Sequence, residues 1–439
     1  SGSTVSTSAD REHRQNPRRA LSGAARDPHK TVTLIDGRRL PFKTAQTDYQ
    51  DLQLIDMSRL AMKGLIDNAA FDPSLISSVI WGNVISEVKT ANLGREAALA
   101  AGIPAGVPAH TVSQACISSG RAISTGMGEI ALGVADVVLA GGAETFSDVP
   151  IRLSRALRKR ALGAPKAMKK GAPGVMKLLK GLKGSDIGLE LPAIANFSTG
   201  EVMGSSSDRL AARFGVTRNE QDEFAVRSHV NAAKAHSTGM YADEILPFNG
   251  STEENCIRGD VNMESMGKLK AAFIKPHGTH TAANSSALTD GAAAVLLASE
   301  ARAKELGYTP KAIIRDSMFV GVDPFEEMLL GPATGIKRML EKHNLTIADI
   351  DVWEIHEAFA GQVLANLNAL ESFGVGRVPM DKTNNWGGSL SIGHPFAASY
   401  ARLVTTAANR LKHEDGQLAL VAACADSGLA NTMLIERYN

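Results

Sequence analysis

Short apolar runs with strand character alternate along this chain with longer segments of helical spacing. In the first part of the chain this order covers residues 31–35, 52–66, 77–85, 92–101, 108–112, 121–132 and 135–140. Continuous apolar strands that alternate with helices are typical of α/β folds, in which a parallel sheet is covered on both faces. The pattern therefore predicts an α/β protein with a largely buried parallel sheet.

The C-terminal third repeats the same order. Its strand-like and helical segments are 312–319, 334–342, 350–355, 357–370, 396–411 and 418–423. In the two series Cys116 and His394 hold matching places, since each stands at the head of a helix that precedes a buried strand. The repeat is too long for a solenoid, and we interpret it as a duplicated α/β unit whose two halves pack together in layers.

The composition limits the kind of protein further. The 439 residues are 44% hydrophobic, which is enough for sizeable cores, and 47 Lys and Arg balance 46 Asp and Glu. Such a balance gives no reason to expect a nucleic-acid partner. Cys116, Cys256 and Cys424 are too widely spaced for a disulfide framework or a zinc site, so we expect a reducing compartment and no metal. No apolar run approaches the roughly 18 residues of a membrane span, and we expect a soluble protein.

Two stretches break the α/β rhythm. Residues 1–30 are rich in Ser and Arg, and we predict a disordered basic tail, with the remnant of a transit peptide as an alternative. Residues 150–277 form a predicted insertion, whose part from 152 to 183 carries eleven Lys or Arg and no acidic residue. Such a run is a solvated face, a surface for ligand phosphates, a contact with lipid headgroups or a site for a partner subunit.

These observations divide the chain into four parts. The predicted parts are the tail at 1–30, an N-terminal half at 31–149 and 278–308, the basic insertion at 150–277, and a C-terminal half at 309–439.

Reactive side chains gather where predicted strands end or helices begin, which is where α/β proteins place their sites. Cys116 stands before a helix, where the macrodipole favours a thiolate, although most free cysteines are simply buried. His356 and Cys424 follow predicted strands, and His394 opens a helix. Each imidazole alone would be assigned to the core, but two thiols and two imidazoles together suit covalent acyl chemistry. Cys256 lies in a polar stretch, and we interpret it as incidental.

Several motifs in these positions resemble those of the thiolase family. They are Cys116-Ile117-Ser118-Ser119, Ala140-Gly141-Gly142-Ala143-Glu144, Asn284-Ser285-Ser286-Ala287, His356-Glu357-Ala358-Phe359, Asn385-Trp386-Gly387-Gly388-Ser389 and Gly393-His394-Pro395-Phe396. The resemblance extends from about residue 31 to the end of the chain. It implies a thiolase-like fold of two duplicated βαβαβαββ halves with an inserted loop domain. His rather than Asn at position 356 points, within the family, to the β-subunits of the trifunctional enzyme of fatty-acid β-oxidation.

The resemblance also implies a role for each residue. Cys116 would take up the acyl group, and His394 would activate it and contribute, with His356, to the oxyanion hole for the thioester enolate. Cys424 would be the acid or base that moves a proton on the departing acetyl-CoA. The backbone N–H groups of Cys116 and Asp426 would form a second oxyanion hole. The implied substrate contacts are Ser286 and Ala287 with the pantetheine arm of CoA, and Ala358 and Phe359 with the acyl chain.

Two positions depart from the family pattern. Asp426 stands among residues that are usually small, and a carboxylate beside an oxyanion hole opposes negative charge unless it points away or is paired. Tyr400 also replaces a small residue, and it would narrow the pocket if it pointed there. Both departures bear on rate and chain-length preference.

The resemblance thus implies a 3-ketoacyl-CoA thiolase that acts on medium or long chains, with CoA as a substrate and no permanently bound cofactor. The alternatives are a Claisen-condensing acyltransferase of the same fold and a catalytically impaired subunit that binds acyl-CoA or serves as a scaffold. We further expect a homodimer, with or without an α-type partner subunit, and contact of residues 152–183 with a membrane surface or a partner. The expected location is the mitochondrial matrix, with a peroxisome-like organelle or a bacterial cytoplasm as alternatives.

Overall fold

The computed structural model describes residues 26–439, so most of the tail predicted at 1–30 lies outside the described residues. The strands are β1 (Val32–Arg39), β2 (Lys43–Thr44), β3 (Ser78–Gly82), β4 (Ala109–Val112), β5 (Val137–Glu144), β6 (Arg152–Leu153), β7 (Leu189–Glu190), β8 (Thr289–Ser299), β9 (Ala312–Gly321), β10 (Val352–Ile355), β11 (Leu418–Ala425) and β12 (Leu429–Arg437). The helices are α1 (Leu54–Asn68), α2 (Leu93–Ala100), α3 (Ser118–Ala131), α4 (Arg155–Met168), α5 (Gly171–Leu179), α6 (Met203–Arg213), α7 (Arg218–Ser237), α8 (Met263–Gly267), α9 (Glu300–Glu305), α10 (Gly331–His343), α11 (Ala360–Ser372), α12 (Ser389–Ile392) and α13 (Ser399–His413).

One large sheet runs through the molecule in the order β10-β11-β12-β9-β1-β8-β5-β3-β4, and β2 pairs with β8. Only its two ends are parallel, through the pairs β10–β11, β3–β4 and β3–β5. The prediction of a parallel sheet was therefore wrong for the middle, where β12, β9, β1 and β8 are antiparallel to their neighbours. The sequence pattern missed β8 because its run is rich in Ala, which has a weak preference for strands.

The predicted duplication is confirmed. In the first half β1, α1, β3, α2, β4, α3, β5 and β8 follow one another in the order βαβαβαββ, apart from the short β2 and the insertion. In the second half β9, α10, β10, α11, α13, β11 and β12 repeat this order, and an isolated bridge between Trp353 and Thr383 takes the place of the β3–β4 pair. The halves join where β1 pairs with β9, at Thr33–Ile313 and Leu34–Ala312.

The two halves share a central layer of helices. The inner faces of both sets of strands pack around α3 and α13, which also contact each other. The outer face of the first half is covered by α1 and α2, and that of the second half by α10 and α11. Because α3 and α13 lie between two layers of strands, the residues just before them are held deep inside the protein.

The segment between β5 and β8 contains two different kinds of structure. Helices α6 and α7 pack on α11 of the C-terminal half, and so this part belongs to the compact body of the protein. Helices α4 and α5 pack on each other, carry the basic run and expose Leu162, Met168 and Met176. Among the described residues, no helix combines the length and apolar character that crossing a membrane requires.

A buried ionic network ties α13 to β10. The Glu354 carboxylate accepts from Arg402 Nη1 at 3.5 Å and from Arg410 Nη1 at 2.7 Å, and all three side chains are fully buried. Buried ions depend on one another, because removal of one partner leaves an uncompensated charge away from water.

We predict that Glu354→Ala destabilises the fold by about 3–5 kcal/mol, since it leaves two buried guanidinium groups without this carboxylate. Asp67→Ala is the matched control, because it breaks the exposed Lys63–Asp67 pair on α1 and should have little effect. Thermal unfolding of the three proteins under identical conditions is the measurement. Equal midpoints for wild type and Glu354→Ala would show that the network does not stabilise the fold.

Candidate active site

Cys116 lies in a tight turn between β4 and α3. Ala115, directly before it, has φ = 46°, a left-handed conformation that costs a non-glycine residue about 1–2 kcal/mol. The turn places Cys116 two residues before the start of α3, at Ser118, and leaves this residue only 6% exposed. Burial raises the pKa of Cys116, and nearby Cys424 and Asp426 raise it further. Burial thus opposes the ionisation that a helix start favours at this thiol.

A cavity of about 280 Å³ joins residues from both halves and from the insertion. Its wall, which is mostly apolar, consists of Cys116, Ile194, Val202, Met203, Gly204, Phe273, Ser285, Ser286, Leu288, Leu329, Ala358, Phe359, His394, Phe396, Cys424 and Ala425. The structure thus brings together both predicted reactive thiols, one predicted imidazole and three of the four predicted substrate contacts. A dry cavity with a thiol and an imidazole in its wall suits nucleophilic acyl transfer.

The fourth predicted reactive group, His356, packs against His394, and the centres of the two rings are 4.2 Å apart. The Nε2 atoms of both rings are buried and have no hydrogen-bond partner among the described residues. Burial, together with the charge of Arg402, lowers the pKa of His356 to about 3. Burial also lowers the pKa of His394 well below its usual value, with His356 and Arg402 contributing. Both imidazoles are therefore neutral near pH 7.

The hydrogen-bond network distinguishes the two rings. Ser399 Oγ lies 2.6 Å from His394 Nδ1 and donates to the Pro395 carbonyl at 3.3 Å, so we assign the shared proton to Nδ1 and a free lone pair to Nε2. Ser389 Oγ lies 3.1 Å from His356 Nδ1 and accepts from Arg402 at 3.3 Å. Its own proton is then free for Nδ1, which leaves Nε2–H on His356. One ring offers a base and the other a donor.

Cys424 is the last residue but one of β11, and the turn that follows this strand approaches Cys116. Burial raises the pKa of Cys424 to about 12, so this thiol is also neutral. The backbone N–H of Asp426 donates to the Cys116 sulfur. The Asp426 carboxylate is paired, because Asn196 Nδ2 donates to its Oδ1 at 3.0 Å. Because an amide carries no charge, the carboxylate still acts on Cys116 and contributes to its raised pKa.

Tyr400 does not narrow this cavity. It is fully buried in the core and packs against Gly120 of α3, where an added Cβ would lie 2.9 Å from the tyrosine ring. Its hydroxyl donates to the carbonyl of Val421 at 3.4 Å. Its position therefore bears on helix packing rather than on chain-length preference.

A second cavity, of about 380 Å³, adjoins the first and shares Ser285 with it. Ala287 lies here, together with Cys256 and the exposed Arg258. Two hydrogen bonds join the segments that line these cavities, from Ser286 N to the Ala358 carbonyl and from Ala360 N to the Asn284 carbonyl, each at 3.0 Å. Cys256 lies in the wall of this second cavity, and its Sγ is 3.0 Å from Thr44 Oγ1. Nothing in the sequence around Cys256 indicated that it would line a cavity.

The sequence did not single out the residues that orient the reactive groups. Ser389 and Ser399 hold the imidazoles, Arg402 holds Ser389, and Asn196 holds Asp426. One signal was available, since Arg402 is an arginine within an apolar helix and had to find a buried partner. No local pattern pointed to Asn196, whose partner is 230 residues away.

Two family models match this chain. The first, described as the N-terminal domain of thiolase, covers residues 32–301, and the second, the C-terminal domain of thiolase, covers residues 308–437. A Caenorhabditis elegans protein named a probable 3-ketoacyl-CoA thiolase is 48% identical over an alignment of 436 positions, and the match covers 96% of this chain and 97% of that protein. The human mitochondrial trifunctional enzyme subunit beta is 48% identical over an alignment of 425 positions, and the match covers 93% of this chain and 89% of that protein.

Solved structures with the same fold include two with known chemistry. Human mitochondrial 3-ketoacyl-CoA thiolase, solved in complex with CoA, has a TM-score of 0.81 at 29% identity and covers 93% of this chain and 98% of its own. Bacillus anthracis acetyl-CoA acetyltransferase has a TM-score of 0.81 at 30% identity, with the same coverage. The structural likeness therefore extends over nearly the whole chain.

The electrostatics of the site predict how Cys116 reacts with a small alkylating agent. Because the thiol pKa is raised and both imidazoles are neutral, the thiolate fraction should keep rising from pH 6 to pH 9, by about tenfold per pH unit. The rate of iodoacetamide labelling of the Cys116 peptide, followed by mass spectrometry, is the measurement. A rate that is already high and constant between pH 6 and pH 8 would instead indicate a stable thiolate–imidazolium pair.

Proposed function

The chain belongs to the thiolase family and cleaves 3-ketoacyl-CoA with CoA in fatty-acid oxidation, and we propose that Cys116 is the nucleophile of this reaction. The observation that carries the proposal is the shared cavity, in which Cys116, His394 and Cys424 meet beside an apolar wall. CoA enters as a substrate, and the mechanism needs no permanently bound cofactor.

The first half of the reaction forms an acyl-enzyme. The Cys116 sulfur attacks the 3-keto carbon while its proton passes to Nε2 of His394, and the resulting alkoxide accepts from the backbone N–H groups of Cys116 and Asp426. The bond between C2 and C3 then breaks, and its electrons form the enolate of acetyl-CoA. The enolate oxygen accepts from Nε2–H of His356 and of protonated His394, and Cys424 protonates C2. Acetyl-CoA leaves, and the shortened acyl group remains on Cys116.

The second half returns the enzyme to its starting state. The thiol of an incoming CoA gives its proton to the Cys424 thiolate, and the CoA sulfur attacks the acyl group on Cys116. When the tetrahedral intermediate collapses, acyl-CoA leaves and the Cys116 sulfur takes its proton back from His394. Both thiols and both imidazoles are then neutral again, as their burial requires.

The two cavities divide the substrate between them. The apolar first cavity suits an acyl chain of medium or greater length, with Ala358 and Phe359 in its wall. The pantetheine arm would pass Ser286 and Ala287 into the second cavity. There the guanidinium of Arg258 is suited to a phosphate group of CoA.

We also propose that the protein is a homodimer that uses β4. This strand is the last of the sheet within the described residues, and it lies only four positions before Cys116 in sequence. An edge strand exposes unpaired backbone groups, which pairing with a second copy would satisfy. The names of the relatives support a mitochondrial location, with the matrix as the expected compartment, and an α-type partner subunit.

The basic helices α4 and α5 are proposed to contact an anionic membrane surface. Their exposed faces combine Leu162, Met168 and Met176 with many lysines, which is the composition of a helix that lies on lipid headgroups. The alternative is a solvated face or a site for a partner subunit. Arg158 and Arg160 are poor test positions, because they bind Glu190 and the carbonyls of Leu178 and Lys180.

Thiolysis is tested with 3-ketohexadecanoyl-CoA and free CoA. Wild type should release acetyl-CoA and, without free CoA, should carry an acyl adduct on Cys116 in intact-mass spectra. Cys116→Ala should lose the adduct, while Cys424→Ala should still react with acyl-CoA to form it, yet turn over about 10²–10⁴-fold more slowly. Cys256→Ala is the thiol control. Absence of acetyl-CoA release by wild type would favour a condensing or scaffold function, and an adduct on Cys256 would exclude the assignment of the nucleophile.

Membrane contact is tested by replacing four exposed lysines of the basic helices, Lys159, Lys166, Lys169 and Lys170, with Gln. Because each charge near an anionic surface contributes about 1 kcal/mol, binding to vesicles that contain phosphatidylserine should weaken at least roughly tenfold. The matched control replaces exposed lysines elsewhere, Lys63, Lys89, Lys342 and Lys412, with Gln. Equal binding by both variants would leave the solvated face or the partner site as the explanation.

A further inference from the structure

Asn196 of the insertion reaches across to the turn that follows Cys424. Its Nδ2 donates to Asp426 Oδ1 at 3.0 Å and to Ser427 Oγ at 2.9 Å. Asn196 is only 4% exposed, whereas Asp426 is half-buried and Ser427 is exposed, so the contact lies at the boundary between the core and the surface. A hydrogen bond to a carboxylate is stronger than one between neutral groups, and burial increases its strength further.

The orientation of the Asn196 amide is fixed by its other contacts. Its Oδ1 accepts from the backbone N–H groups of Ser198 and Thr199, both at 3.0 Å. Its own N–H donates to the Glu201 carbonyl, and its carbonyl accepts from Gly200 N, both at 2.9 Å. Since Oδ1 is occupied by two donors, the NH₂ group must face the turn. Asn196 is therefore a rigid donor aimed at Asp426.

The turn that Asn196 holds contains a strained residue and lies beside Cys116. Ser427 has φ = 68°, in the left-handed region that favours glycine. Directly before it, the Asp426 backbone N–H donates to the Cys116 sulfur, while the carboxylate of the same residue is bound by Asn196. Any rotation of Asp426 that released the carboxylate toward the cavity would bring a negative charge to the place where an alkoxide develops.

We propose that Asn196 is a positioning residue, which keeps the Asp426 carboxylate on the side of the insertion and so keeps the Asp426 N–H directed at Cys116. The proposal deepens the function given above and rests on it. It also explains how this chain tolerates a carboxylate at a place where the chemistry disfavours one.

The contact between Asn196 and Asp426 also connects the wall of the first cavity with the turn that carries Asp426. Ile194 and Val202 flank Asn196 and line the cavity, and an isolated bridge between Ala195 and Val202 closes the loop on which Asn196 stands. When this loop lies against the body of the protein, the wall of the acyl site and the Asp426 turn are completed together. Displacement of the loop would disturb the donor as well as the wall, and the effect should therefore appear in the chemical step.

The test is a double-mutant cycle between Asn196→Ala and Asp426→Asn, in which the acylation of Cys116 is measured in single turnovers. In the protein that retains Asp426, Asn196→Ala should lower the maximal acylation rate roughly tenfold, with little change in the substrate concentration for half-saturation. In the Asp426→Asn background, the same change should cost less than about twofold, because no charge remains to be released.

Two further variants make the result specific. Asn196→Asp places a carboxylate against a carboxylate, so it should be slower than Asn196→Ala with Asp426 and should recover in the Asp426→Asn background. Asn219→Ala is the matched control, since it removes a similar bond from an amide to a carboxylate, with Glu223 on the exposed face of α7, and it should retain the wild-type rate.

Equal losses from Asn196→Ala in both backgrounds would overturn the proposal and would make Asn196 a purely structural residue. A change confined to half-saturation would do the same. Failure of the proposed function would look different, because wild type itself would then form no acyl adduct. Thermal unfolding of each variant identifies any that do not fold, and the Asn196→Asp pair then supplies the comparison.

Discussion

The contact between α3 and α13 sets the geometry of the site. The backbone N–H of Ala401 donates to Ser119 Oγ at 3.0 Å in the buried core. The helices approach closely at Gly120, where a Cβ atom would lie 2.6 Å from Asn431 Oδ1 and 2.9 Å from the Tyr400 ring. Cys116 lies two residues before α3, and His394 lies five residues before α13. The position of Cys116 relative to His394 is therefore fixed by a core contact between the two halves rather than by a flexible loop.

Burial then determines the chemistry that these groups can perform. It raises the pKa values of both thiols and lowers those of both imidazoles, so that Cys116, Cys424, His356 and His394 rest uncharged. In the proposed mechanism charge develops only during the reaction, on atoms that hydrogen-bond donors already face. In such a site each donor is stronger than it would be in water, and it pays no reorganisation cost at the moment of reaction.

The sequence contained the order of the elements and the reactive residues, but not how these residues are held. The apolar strands and their breakers predicted the duplicated halves, and the thiols and imidazoles stood at predicted strand ends and helix starts. The antiparallel middle of the sheet escaped notice, because the Ala-rich run of β8 has weak strand character. Local pattern also suggested an ionised Cys116, whereas the degree of burial depends on the whole fold.

The insertion contributes residues to both cavities. Its loop carries Asn196 and contributes Met203 to the acyl wall, and a later part contributes Arg258 to the second cavity. It is anchored to the body by Arg39 of β1, whose Nε donates to Glu244 at 2.9 Å between fully buried side chains. In the proposed mechanism the duplicated halves supply the reacting atoms, while the insertion contributes part of the wall of both cavities. In our proposal Asn196 of this insertion also holds the Asp426 carboxylate, so one hydrogen bond connects the loop of the acyl cavity with the turn beside Cys116.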